Sequence, residues 1–144
     1  MDEKMISELR MKSGEHWKKI MEKYGSGEKG TVLDFKDFLQ GRQAASVTLH
    51  GCSVELPVHR QNFIEFIYAY EGRIVTEIDG KELVQEKGDI LLMNQYVEHR
   101  VKPTGNENEA LILAALPDFF EKPLEMMKKQ SLITDFLTNM LRQN

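Results

Sequence analysis

A single cysteine, Cys52, stands in a chain of 144 residues. One thiol closes no internal disulfide, so the fold must rest on packing, and a reducing, cytoplasmic setting is expected. No apolar run reaches the ~18 residues that a membrane-spanning helix needs. Met1 to Arg10 mixes acids and bases where a signal peptide would carry an apolar core. Basic charge is scarce too. The 19 Lys and Arg are outnumbered by 23 Asp and Glu, and the net charge of −4 argues against nucleic-acid binding by these residues alone. Familiar catalytic signatures are missing: no Gly-x-Ser-x-Gly elbow, no phosphate-cradling Gly-rich loop with Lys and Ser or Thr, no Cys-x-x-Cys pair.

What is present is ordinary for a globular domain, with 41% hydrophobic and 29% charged residues. A chain of this length fits one compact domain and buries about 68–70% of the surface exposed when unfolded. Three segments separate by pattern: 1–30, 31–117 and 118–144. In the first, Ile6, Leu9, Trp17, Ile20, Met21 and Tyr24 fall near one helical face, with Lys and Glu opposite. Gly14 interrupts that face, and the glycines from Gly25 to Gly30 end it. A peripheral helix capping the core is expected. His16 on this helix, and His50 further on, read as surface or packing residues.

The middle segment predicts strands. Short runs rich in Val, Ile, Phe and Tyr are separated by turn residues, as in a sandwich or barrel. Asp79-Gly80 between Arg73–Ile78 and Lys81–Gln85 predicts a type I′ hairpin. Gly88-Asp89 opens Ile90–Met93, and Pro103 to Asn106 forms a loop before Ala110–Leu116. Sequential hairpins imply an antiparallel sheet of about eight strands. In the third segment Leu132, Ile133, Phe136, Leu137, Met140 and Leu141 form a broad apolar stripe at helical spacing. Its run almost to the last residue suggests a chain cut from a longer protein. The stripe is wide enough to pack on a barrel and still face a partner, so Leu132, Phe136, Leu137, Met140 and Leu141 are expected at a homodimer interface.

The stretch from His59 to Ile67 carries the most chemical information. Strand alternation turns His59, Gln61, Phe63, Glu65 and Ile67 to one side and Ile64, Phe66, Tyr68 and Tyr70 to the other. Polar heads on apolar walls, completed by His99 and Val101, suit a small-ligand pocket. The outer set is apolar as well, so the terminal helices are its natural cover.

These residues resemble the two cupin motifs. His59, Glu65 and Gly72 keep the first register, and Gly88 and His99 keep the second. Gln61 replaces an imidazole, Asn94 and Tyr96 replace a Pro and a Gly, and Pro103 falls on a final Asn. The run from Phe63 to Tyr68, then Glu71-Gly72, Ile78 to Glu82, Lys87 to Asn94 and Glu98-His99 is similar to the N-terminal domain of AraC-type regulators. So are Leu116 to Phe120 and Ser131 to Leu137. The resemblance implies an all-β core with flanking helices: a cupin-like antiparallel β-barrel, or jelly roll, with an N-terminal helix and C-terminal helices. It implies a non-enzymatic sensor with no cofactor, binding a small-molecule effector through His59, Gln61, Phe63, Glu65 and His99. Sugars are common effectors in that family. DNA would be bound by a separate C-terminal domain that this chain lacks. The alternative is a metal-dependent cupin enzyme, an isomerase or dioxygenase, with His59, Glu65 and His99 as ligands. Gln61 weakens that set, so no metal is expected.

Overall fold

The structure, a computed structural model, describes residues 2–25, 27, 30–38, 45–52 and 55–120. It opens with helix α1, Glu3–Tyr24, whose first turn is capped by the Asp2 carboxylate accepting the Met5 N–H at 2.9 Å. The helix runs unbroken through Gly14, contrary to the interruption expected there. That glycine sits on the exposed face, and its cost of about 1 kcal/mol relative to alanine is offset by burial of Ile6, Trp17, Ile20 and Tyr24 on the other.

Nine strands follow among the described residues: β1 (Thr31–Leu33), β2 (Ala45–Cys52), β3 (His59–Gln61), β4 (Ile64–Glu71), β5 (Ile74–Ile78), β6 (Lys81–Gln85), β7 (Ile90–Met93), β8 (His99–Val101) and β9 (Gly105–Ala115). They form two facing sheets, one ordered β1-β3-β8-β5-β6 and the other β2-β9-β4-β7. This is the cupin-like, mainly β architecture with an N-terminal helix that the sequence predicted. The pairing is antiparallel except between β1 and β3, which run parallel, with Thr31 opposite His59. β9 starts at Gly105, several residues earlier than expected, because its first part pairs with the ends of β2 and β4.

Local chemistry explains the sharpest turns. Asp79 and Gly80 both have positive φ, 51° and 78°, which is what a type I′ hairpin between β5 and β6 needs. Gly72, at φ 69°, closes the turn after β4. A Cβ there would meet the Asn108 side-chain oxygen at 2.0 Å, the atom that accepts the Arg73 N–H.

The run from His59 to Ile67, expected as one strand, is two strands in different sheets. The chain crosses between them at Asn62 and Phe63. The Asn62 side-chain oxygen accepts the Phe35 N–H at 2.7 Å, and its own N–H donates to the Leu33 carbonyl, which pins the corner. The inward alternation survives the crossing: His59, Gln61, Phe63, Glu65 and Ile67 are all buried.

Helix α1 does not lie over β4. It follows the edge strand β2, where the Leu49 N–H donates to the buried Ser13 hydroxyl at 2.8 Å. Its far end reaches the segment after β1, where the Tyr24 hydroxyl donates to Asp37 and accepts the Asp34 N–H. Trp17, Ile20 and Tyr24 thereby join the core with Phe35, Phe38, Phe63 and Ile67. Of the outer set on β4, Ile64 is buried, Phe66 and Tyr70 are half-buried and Tyr68 is exposed. The second expected cover, residues 118–144, lies almost wholly outside the described residues. So do Leu132, Phe136, Leu137, Met140 and Leu141.

Candidate functional site

The site is built by three strands. His59 on β3 and His99 on β8 stand directly opposite in antiparallel register, so their imidazoles lie side by side with ring centroids 4.6 Å apart. Glu65 on β4 faces them from the other sheet, one carboxylate oxygen 4.0 Å from His99 Nε2. All three line a cavity of about 20 Å³ between the sheets, together with Trp17, His50 and apolar side chains that include Val101. Gln61 and Phe63 are buried within the fold but do not line it. The space matches roughly one water molecule.

Backbone carbonyls fix the imidazoles. His59 Nδ1 lies 2.8 Å from the Pro57 oxygen, and His99 Nδ1 lies 3.1 Å from the Val97 oxygen. A carbonyl only accepts, so Nδ1 carries the proton in each neutral ring and Nε2 is left as an acceptor. Burial pushes His59 down to about 4, with neighbouring His99 adding to the effect, and burial also holds His99 below its ordinary range. The same burial pushes the Glu65 carboxyl up, more strongly than His59 and Gln61 pull it down. The His99–Glu65 approach is within ion-pair distance, yet a neutral imidazole makes it a polar contact and not a salt bridge.

Two further lining residues have buried polar atoms without hydrogen-bond partners, both ring nitrogens of His50 and Trp17 Nε1; elsewhere in the fold so do both ends of the Gln61 amide, the hydroxyls of Ser46, Thr48 and Thr76, His16 Nε2, Gln85 Oε1 and Gln95 Oε1. Gln61 stands close enough to Glu65 to favour its charged form, although neither end of its amide makes a bond of good geometry. His50 and Trp17 are the lining residues that sequence reasoning missed. The alternation Ser46, Thr48, His50 on β2, all buried, was the available signal for His50. Trp17 carried none beyond its place on the apolar helix face.

The donors do not fit a metal. Gln61 offers an amide where a third imidazole would stand. Among the described residues no three His, Cys, Asp or Glu side chains group so as to hold an ion. What the arrangement can do is form directed hydrogen bonds in a water-poor cavity. No described helix is long and apolar enough to cross a membrane.

No curated protein sequence matches the chain. Among solved structures it is similar to an ethanolamine utilization protein Q from Salmonella typhimurium, at 14% identity and TM-score 0.44, covering 51% of this chain and 58% of that one. The chain thus spans little more than half the length of that protein. It is also similar to a cupin-2 domain containing protein from Shewanella frigidimarina, at 16% identity and TM-score 0.46, covering 51% of this chain and 72% of that one. A third is an RmlC-like cupin family protein with a double-stranded β-helix fold from Methanocaldococcus jannaschii, at 14% identity and TM-score 0.42, covering 50% and 68%. Residues 46–116 match the family model of the cupin domain, a span that holds β2 from its second residue, β3 to β9, His59, Glu65 and His99. Over this stretch, just under half of the chain, the sequence matches the cupin domain and the fold is cupin-like.

Proposed function

We propose that this cupin domain is the small-molecule-sensing and dimerisation module of an AraC-type transcription regulator. It works in the cytoplasm as a homodimer and reaches DNA through a separate domain. The observation that carries the sensing role is the convergence of His59, Glu65 and His99 on one buried cavity between the sheets. A buried carboxyl beside neutral imidazoles costs stability, and orienting a ligand by hydrogen bonds is a use that offsets this cost. The regulator reading draws on the order and spacing of the residues from Phe63 to His99 and from Leu116 to Phe120. The effector is a small polar molecule, and a sugar is the class the resemblance favours. A metal-dependent enzyme is the runner-up. It draws on the two Nε2 acceptors beside Glu65, and Gln61 and the donor spacing count against it.

The test is a ligand screen by thermal shift, followed by calorimetry on two variants. Glu65→Gln should weaken effector binding about tenfold or more, since a ligand group that loses its buried partner costs about 1–3 kcal/mol. Its melting temperature at pH 7–8 should stay level or rise, because the amide removes the cost of burying a carboxylate. Arg60→Ala, on the exposed face of β3, should leave binding unchanged. Loss of binding in Arg60→Ala with full binding in Glu65→Gln would place the site elsewhere. About one Fe, Mn or Ni per chain after dialysis would favour the enzyme.

A further inference from the structure

The far wall of the cavity holds groups that the proposed sensing role does not yet use. His50 is 3% exposed and Trp17 is 6% exposed. Their rings stack at 4.6 Å with an interplanar angle of 24°. Neither His50 nitrogen has a hydrogen-bond partner, nor does Trp17 Nε1. Each buried polar atom left unpaired costs about 1–3 kcal/mol, and native proteins seldom collect three at one point. His50 and Trp17 come from different elements, β2 and α1, and both line the same cavity as His59, Glu65 and His99. The grouping marks the place of a partner that supplies these bonds.

The chemistry of the lining narrows that partner. Among the described residues no Lys or Arg lines the cavity, so an anion would enter without a counter-charge from them. Burial holds the three imidazoles neutral and pushes Glu65, the one acid among the described lining residues, toward its neutral form, which leaves a cation little to pair with. Trp17 Nε1 can only donate. His59 and His99 present Nε2 as acceptors, and His50 offers one of each. A bound group must therefore both donate and accept, as a carboxamide or a hydroxyl does. We infer that Trp17 and His50 form the second wall of the ligand site, and that the site takes a small uncharged molecule through a carboxamide or hydroxyl group, the cavity widening beyond its one-water volume to admit it. This rests on the ligand-binding reading above.

Trp17 is the only tryptophan in the chain, so its emission reports the site directly. The probes are acetamide, acetate and methylammonium, small molecules that differ in charge, added at constant ionic strength. Acetamide should shift Trp17 emission saturably in the millimolar range and raise the melting temperature; the two ions should do neither. His50→Leu should lower acetamide affinity at least tenfold and keep or raise the melting temperature, because it removes two unpaired nitrogens. A His50 that only packs would leave affinity unmoved. Trp17→Phe, read by thermal shift, removes the N–H while keeping a ring and serves if His50→Leu fails to fold. A response that grows linearly without saturation means the cavity holds only water, and overturns the proposal. Saturation by acetate or methylammonium in place of acetamide overturns the ligand class. Binding that Glu65→Gln weakens but His50→Leu and Trp17→Phe leave intact removes this wall and spares the sensing role. Binding untouched by all three variants removes both.

Discussion

All four histidines, His16, His50, His59 and His99, are held below their ordinary range, chiefly by burial, and His50 and His59 are pushed down to about 4 from 6.5. Between those two values the unfolded chain binds protons that the folded chain refuses. Folding stability therefore rises with pH from about 4 to 6.5 and is lost as acid is added. Either of His50 and His59 alone accounts for roughly 3 kcal/mol across that window, and the two are not additive because His59 lowers His50. Glu65 acts with the opposite sign. Its raised carboxyl favours folding below its unfolded value of 4.5, and that contribution disappears as pH rises through its folded value. One carboxyl does not outweigh four imidazoles. The melting temperature should fall steadily from pH 7 to pH 4, with net proton uptake on unfolding by potentiometry. A flat profile above pH 5 would mean that the rings stay open to water. The predicted polar set was legible at this scale because a period of two carries His59, Gln61 and Glu65 inward, and the motif register adds His99. His50 and Trp17 were not, because their meeting depends on how α1 packs across β2, and spacing along the chain does not record it.

At the scale of elements, turn chemistry was the most legible feature. Asp79-Gly80 and Gly88-Asp89 bound β5, β6 and β7 at the residues their conformational preferences indicate. The crossing at Asn62 was hidden, since an unbroken alternation looks the same whether one sheet or two contain it. So was the parallel pairing of β1 with β3, which joins residues 28 positions apart (59 − 31) with β2 between them in sequence. The helix was legible as amphipathic, yet its docking partner was not. The buried polar contact between the helix and β2 is the Ser13 hydroxyl accepting the Leu49 N–H. Ser13→Ala leaves that N–H buried and unpaired, at a cost of about 1–3 kcal/mol. Urea denaturation should show a lower midpoint with an unchanged slope. A loss below about 0.5 kcal/mol, the level of an ordinary surface substitution, would mean that this bond adds nothing to the docking of α1.

For the whole molecule, the class and layering of the fold followed from strand runs and turns, while the proposed homodimer draws on the sequence pattern of residues 132–141 alone, which lie outside the described residues. Leu137→Asp combined with Leu141→Asp should give a folded monomer in sedimentation, since two charges in a shared apolar seam oppose association. An unchanged dimer would put the interface elsewhere, and unfolding would mean that the stripe covers its own barrel. The outward face of the β2-β9-β4-β7 sheet makes such cover useful, with Val47, Tyr68 and Ile90 all exposed. The helix along β2 has a further consequence, for solubility. A bare edge strand is a template on which another chain can add a strand of its own, and the growing stack leads toward fibrils. By taking the Leu49 N–H, Ser13 occupies one rung of that template, and the helix body stands where an incoming strand would lie. Loosening α1 would thus do more than weaken the fold, because it would uncover a surface that recruits copies of the same chain.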